Sequence, residues 1–173
     1  MAFTLSDVLT NLCYSIYEKF TTPGDIEALM VIGDHGIGGV GPAVDQDSAE
    51  YSDFFTSING QLFEDEAPDS AVYPYAVYSV TDTIDEYTFT EEFSRVNVRM
   101  SIYSDNMDTS EIKAIYRYAG DLFDDCTLVV TGSLLIWMKE ENLTTMIDQH
   151  ITPDGTKEVL VYTIDFEVLT CLR

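Results

Sequence analysis

The sequence predicts an α+β fold: a mainly antiparallel β-sheet flanked by an N-terminal helix and a second, central helix, with a long loop excursion between the first helix and the sheet. Three observations carry this. Residues 94–102 read Ser-Arg-Val-Asn-Val-Arg-Met-Ser-Ile, and residues 163–168 read Thr-Ile-Asp-Phe-Glu-Val. Such period-two alternation marks strands with one face in a core and the other outside it. Two stretches repeat apolar residues at intervals of three and four, as a one-sided helix does. The segments of the C-terminal half are joined by short turn signals, which favour antiparallel neighbours.

The first helix gathers Leu5, Val8, Leu9, Leu12, Cys13, Ile16 and Phe20 on one stripe. Thr4 can cap it, Asp7 suits its first turn, Phe3 can staple against Val8, and Pro23-Gly24 stops it. Asp25–Ile32 reads as either a short helix or a strand. Five glycines and Pro42 within residues 33–42 argue for an irregular loop, and residues 33–57 lack periodicity, so they form the excursion. Ala71–Val80 is rich in Val and Tyr and reads as a strand, with Pro74 at its start or on an edge. Phe89–Tyr103 is the longest strand candidate, and residues 104–108 break it. Asp108 then caps the second helix, with Glu111 three residues on and a stripe of Ile112, Ile115, Tyr116, Ala119, Leu122 and Phe123. Cys126–Met138 gives one or two strands around Gly132, and Asn142–His150 continues more weakly. Pro153-Asp154-Gly155 is a turn, and a last strand runs over Lys157–Leu169. One domain over 1–173, with 33–57 as a loop insertion, accounts for all of this. A chain of this length buries about 70% of its unfolded surface without needing a disulfide or a metal.

Charge is the extreme feature of the composition. Thirty-one acidic residues face eight basic ones, a formal net charge of −23, while 46% of residues are hydrophobic. Such a chain repels nucleic acid and anionic membranes. The charge is either a solubility device or a surface past which nucleic acid slides without sticking; composition alone does not choose. Cys13, Cys126 and Cys171 show neither zinc spacing nor a disulfide pattern and fit a reducing compartment. The N-terminus has no basic leader and no small-residue cleavage site, so export is not expected. No apolar run approaches the ~20 residues that span a bilayer.

Chemistry-bearing motifs are weak. Gly36-Ile37-Gly38-Gly39-Val40-Gly41 fits the dinucleotide spacing, but Pro42 and an acidic segment follow where a helix should open. Asp34, His35, Asp45 and Asp47 lack any calcium-loop spacing. His150 lies near a turn without an orienting partner, and no Ser or Cys sits in a nucleophile motif. The expectation is therefore no catalytic, cofactor-binding or metal-binding residue, and no cofactor. The scarce cations stand out instead. Arg95 and Arg99 alternate along the polar face of the long strand; Lys113 and Arg117 lie four apart on the second helix, away from its apolar stripe. They either coat solvated faces or meet carboxylates of a neighbouring copy.

A family resemblance rests on an ordered set of landmarks. Gln61-Leu62-Phe63-Glu64-Asp65-Glu66-Ala67-Pro68 precedes Tyr73-Pro74-Tyr75-Ala76-Val77-Tyr78. A strand ending in Ile102-Tyr103-Ser104 follows, then a helix from near Glu111 to Leu122-Phe123-Asp124. The Asp148 region, the Pro-Asp-Gly turn and a last strand through Val161-Tyr162-Thr163-Ile164-Asp165-Phe166-Glu167-Val168 close the chain. Over residues 58–170 and the N-terminal helix, the chain resembles the tail terminator, or tail completion, proteins of long-tailed bacteriophages. The resemblance implies a structural virion protein without enzymatic activity, made in the host cytoplasm and placed at the head-proximal end of the tail. It implies a homohexameric ring that caps the completed tail tube, touches the tube protein and receives the head–tail connector protein, with DNA passing through the lumen unbound. A head–tail connector or neck protein is the nearest alternative role, and an acidic binding module of the DNA-mimic type is the alternative from another class.

Overall fold

A computed structural model describes residues 5–21, 53–87, 92–126, 128, 130–152 and 155–172. Helix α1 (Leu5–Thr21) is followed by a helical turn at 53–57 and strands β1 (Leu62–Glu64), β2 (Tyr75–Tyr87) and β3 (Glu92–Ser104). Helix α2 (Thr109–Phe123) comes next, then β4 (Ser133–Thr152) and β5 (Gly155–Leu172). The strands form one sheet in the order β1-β2-β3-β5-β4. Every pairing is antiparallel except that of β1 with β2. The α+β architecture with its two helices is the expected one.

Along β3, burial alternates strictly: Val96, Val98, Met100 and Ile102 are buried, while Arg95, Asn97, Arg99, Ser101 and Tyr103 are not. Register carries this alternation into β5, where Ile164, Phe166 and Val168 stand opposite Met100, Val98 and Val96. These side chains join Leu12, Ile16 and Phe20 of α1 and Ile112, Ile115, Ala119, Leu122 and Phe123 of α2 in one core cluster. The stripe residues of α1 from Leu9 to Phe20 and those of α2 are thus buried or partly buried against the core. Asp108 caps α2 by accepting from the Ser110 amide at 3.0 Å, and backbone N–H donation holds its carboxyl below the usual range. Glu111 accepts from the Ser104 hydroxyl instead of reaching back to the cap, whose own amide donates to Asn106.

Several boundaries differ from the sequence reading. The strand expected at Ala71–Val80 starts after the cis Tyr73–Pro74 bond and runs to Tyr87. Residues 133–138 and 142–150 of the two expected segments belong to one twenty-residue strand, β4, which slips register between Leu135 and Trp137 and between Glu140 and Asn142, while the described residues from Cys126 to Gly132 precede it outside any strand. Each bulge inserts one residue and flips the alternation, which breaks the period-two pattern. The 33–57 excursion ends earlier than expected, because residues 53–57 are helical and Phe54 is fully buried. Its remainder, the Asp25–Ile32 segment, the glycine motif at Gly36–Gly41 and the Asp34, His35, Asp45 and Asp47 group lie outside the described residues, as do Phe3, Thr4 and Pro23-Gly24.

Candidate interaction surface

Both described helices pack against one face of the sheet, and the opposite face carries a second set of side chains. Tyr75, Val159, Val161 and Leu169 are buried yet stand apart from the core cluster, and register places them on this opposite face. Across the middle of that face runs a band of polar pairs. Arg99 faces Asp165 directly, and its Nε donates to Oδ1 at 2.7 Å while Nη2 donates to Oδ2 at 3.4 Å. Arg95 reaches diagonally to Glu167 at 2.9 Å and sideways to Glu86 at 3.1 Å. Ser101 and Thr163 share a hydroxyl bond at 3.1 Å. The partnering carboxylates raise the pKa of both guanidinium groups, through Glu167 and then Glu86 for Arg95 and through Asp165 for Arg99.

The four cations singled out in the sequence therefore divide into two kinds. Arg95 and Arg99 are joined to carboxylates of their own chain, 72 and 66 residues away. Arg117 lies over the ring of Tyr118 and is 3.9 Å from Asp121, one turn on. Lys113 is exposed on the same helix face and makes no salt bridge among the described residues. Exposed ion pairs are individually weak, but on a chain this acidic a cation also dilutes local repulsion. Arg95→Glu would set three carboxylates side by side. The expected result is a lower Tm, more so at low salt, with partial recovery in the swap Arg95→Glu/Glu167→Arg. Melts at two ionic strengths check this; equal melts for the single variant and the swap would contradict the pairing.

Nothing in the described structure assembles a catalytic group. No set of three or more His, Cys, Asp and Glu side chains among the described residues is placed to hold a metal. A hollow of about 390 Å³ is lined by Tyr116, Arg117, Gly120, Asp121, Asp124 and Glu140. Its strongest feature is the Tyr116 hydroxyl donating to Glu140 at 2.7 Å, which pushes that phenol up to about 12. A phenol held neutral beside carboxylates, with no nucleophile, is a structural bond between α2 and β4. Cys13 is pushed up to about 12, by burial first and then by Glu64, so its thiolate is suppressed. His150 sits on β4. No helix of the described residues is long and apolar enough to cross a membrane.

Among the described residues both sheet edges are open over part of their length. β1 covers only Ala76, Val77 and Tyr78 of β2, and β4 is an outer strand throughout. Several exposed large apolar side chains lie on β4: Leu134, Ile136, Met146 and Ile147. β1 is not legible in the sequence, since three residues are too few for a periodicity.

Comparison with known proteins agrees with this picture of a packing protein. A chain in the solved virion of a native gene transfer agent particle superposes with a TM-score of 0.61, covering 95% of this chain and 97% of that one at 12% identity. At that identity the likeness is one of fold. Comparison with curated sequences gives no match. The family described as tail completion protein gp17 matches residues 52–149, more than half of the chain, from the turn that bears Phe54 to the exposed stretch of β4. The chain belongs to that family and is a structural protein of the phage virion tail.

Proposed function

We propose that this protein is a tail terminator: copies close into a ring, six in number by the family resemblance, that ends the tail tube and offers its other side to the head–tail connector. The observation that carries the reading is the family match over residues 52–149. The sheet supports it physically. Its two edges are unlike, so copies pair head to tail, and a head-to-tail contact closes into a ring when its rotation divides a full turn. Contacts with neighbouring carboxylates fall first to Lys113 and then to Arg117, whose own-chain pair with Asp121 is long at 3.9 Å, because Arg95 and Arg99 are held more closely within their own chain. DNA passes the ring without binding, since at −23 per chain the assembly presents few cations to phosphate. The protein acts by shape and performs no catalysis.

The test is a virus lacking this gene, examined by electron microscopy. A terminator leaves filled heads apart from tails whose tubes have grown past normal length, and the supplied gene restores both length and joining. Unjoined tails of normal length would assign the neck role instead. Joined particles of normal length would overturn the proposal altogether.

A further inference from the structure

We propose that β4 of one copy adds edge-on to β1 of the next, antiparallel, with Thr144 opposite Phe63, so that the sheet runs on from subunit to subunit. This rests on the ring reading and names the contact that builds it.

Register across the sheet sets the levels. Phe63 pairs with Val77, Val77 with Ser101, Ser101 with Thr163 and Thr163 with Thr144. Leu62 reaches Thr145 through Ala76, Ile102 and Tyr162 in the same way. The two edges, unpaired on their outer sides among the described residues, therefore lie at the same height, and a side-stepped copy brings them together. Directions agree as well. β1 runs with β2, and three successive antiparallel pairings leave β4 running against both. A neighbour's β1 thus meets β4 in the antiparallel sense.

The edges also differ in protection. Natural proteins blunt exposed edges with bulges and charges. Both bulges of β4 lie before Asn142, and none interrupts the stretch from Asn142 to Thr152. Charge is withheld at the same place. Residues 142–147 read Asn-Leu-Thr-Thr-Met-Ile and residues 58–63 read Ile-Asn-Gly-Gln-Leu-Phe, two uncharged windows in a chain with 31 acids. In the proposed register the uncharged residues 144–147 face the uncharged residues 60–63, and the first acids come just outside this overlap, Glu64 opposite Leu143 and Asp148 opposite Asn59. Met146 and Ile147, 53% and 59% exposed and on opposite faces of β4, come diagonal to Phe63 and Leu62 respectively. Diagonal neighbours across an antiparallel pair lie within reach of long side chains. Each exposed apolar group gains an apolar neighbour on its own face, which is why a second copy is the occupant assigned.

The experiment uses virions carrying Phe63→Cys with Thr144→Cys, oxidised and run without reductant, beside the parent and the two single variants. A ladder of cross-linked chains extending past the dimer is expected, in the double variant alone. Dimers only, formed equally by Thr144→Cys alone, would mean two β4 edges pair about a two-fold axis and would overturn the proposal. Absence of cross-links in particles whose ring is visible by electron microscopy would overturn the edge pairing and leave the ring standing. Particles without any ring of this chain would remove the ring reading as well. Met146→Asp with Ile147→Asp supplies the second measurement: an unchanged Tm with a drop of about tenfold or more in joined particles. Joined particles at the parental yield would overturn the contact.

Discussion

Phe123→Ala is expected to destabilise the protein by about 3–5 kcal/mol, the range for removing a fully buried aromatic ring. Phe123 is 0% exposed and lies in the middle of a chain of aromatic contacts. Its ring meets Phe54 edge-on at 5.9 Å and Phe166 at 6.2 Å, and Phe54 in turn meets Phe20 at 5.7 Å. Those four rings belong to α2, the 53–57 turn, β5 and α1, so one side chain bridges both helices to the sheet. Truncating it forfeits the transfer of the ring out of water and leaves a void that its two rigid aromatic neighbours fill poorly. Urea unfolding at neutral pH measures the loss, with the midpoint falling and the slope unchanged. Tyr14→Ala, at a residue 61% exposed, is the control and should stay within about 0.5 kcal/mol of the parent. A loss below about 1 kcal/mol for Phe123→Ala would mean that the stack closes over the gap.

The same aromatic chain shows what the sequence could and could not reveal. Phe20 and Phe123 announce themselves because helical spacing repeats their neighbours every three or four residues. Phe54 does not: its turn is too short for a period, and the glycine-rich stretch before it reads as loop. Strands β3 and β5 were legible because each buries one face without interruption. β4 was not, because two inserted residues reverse the phase of its pattern within ten positions. β2 was cut short for a different reason. Beyond Val80 a register shift and the polar residues Asp82, Asp85 and Glu86 hide a strand that is held by pairing with β3 and not by a local apolar pattern. The candidate surface was half legible. Alternation placed Arg95 and Arg99 on a polar face, but their partners depend on which residue of β5 stands opposite, and register between strands some seventy residues apart is fixed only in the folded sheet.

Alkaline unfolding is the second large effect, and its sign follows from two buried phenols. Tyr78 is 1% exposed, and its hydroxyl donates to the Cys13 carbonyl at 3.2 Å; Tyr75 is 7% exposed and stacked on Tyr103 at 4.9 Å. Burial is the first cause raising both phenols above the ordinary tyrosine value of 10.0, and neighbouring acidic and phenolic groups add to it. A group whose pKa rises on folding contributes stability that is complete below its unfolded pKa and is lost as pH climbs towards the folded one. Below pH 10 neither tyrosine therefore affects the pH dependence. Above it the unfolded chain releases protons that the fold retains, at about 1.4 kcal/mol per pH unit for each group. Two groups together remove about 3 kcal/mol per unit, so by pH 12 the loss rivals the whole stability of a typical domain, ~5–15 kcal/mol. The chain should unfold cooperatively between these limits. Part of the phenolate absorbance of its eleven tyrosines should appear only with the loss of circular dichroism. Tyr78→Phe separates the terms: about 1 kcal/mol less stable at neutral pH for want of its hydrogen bond, yet with a shallower decline above pH 10. If all eleven phenols ionised near pH 10 while the dichroism held, Tyr75 and Tyr78 would have to be open to solvent, and the buried tyrosines that tie β2 to its neighbours would not exist.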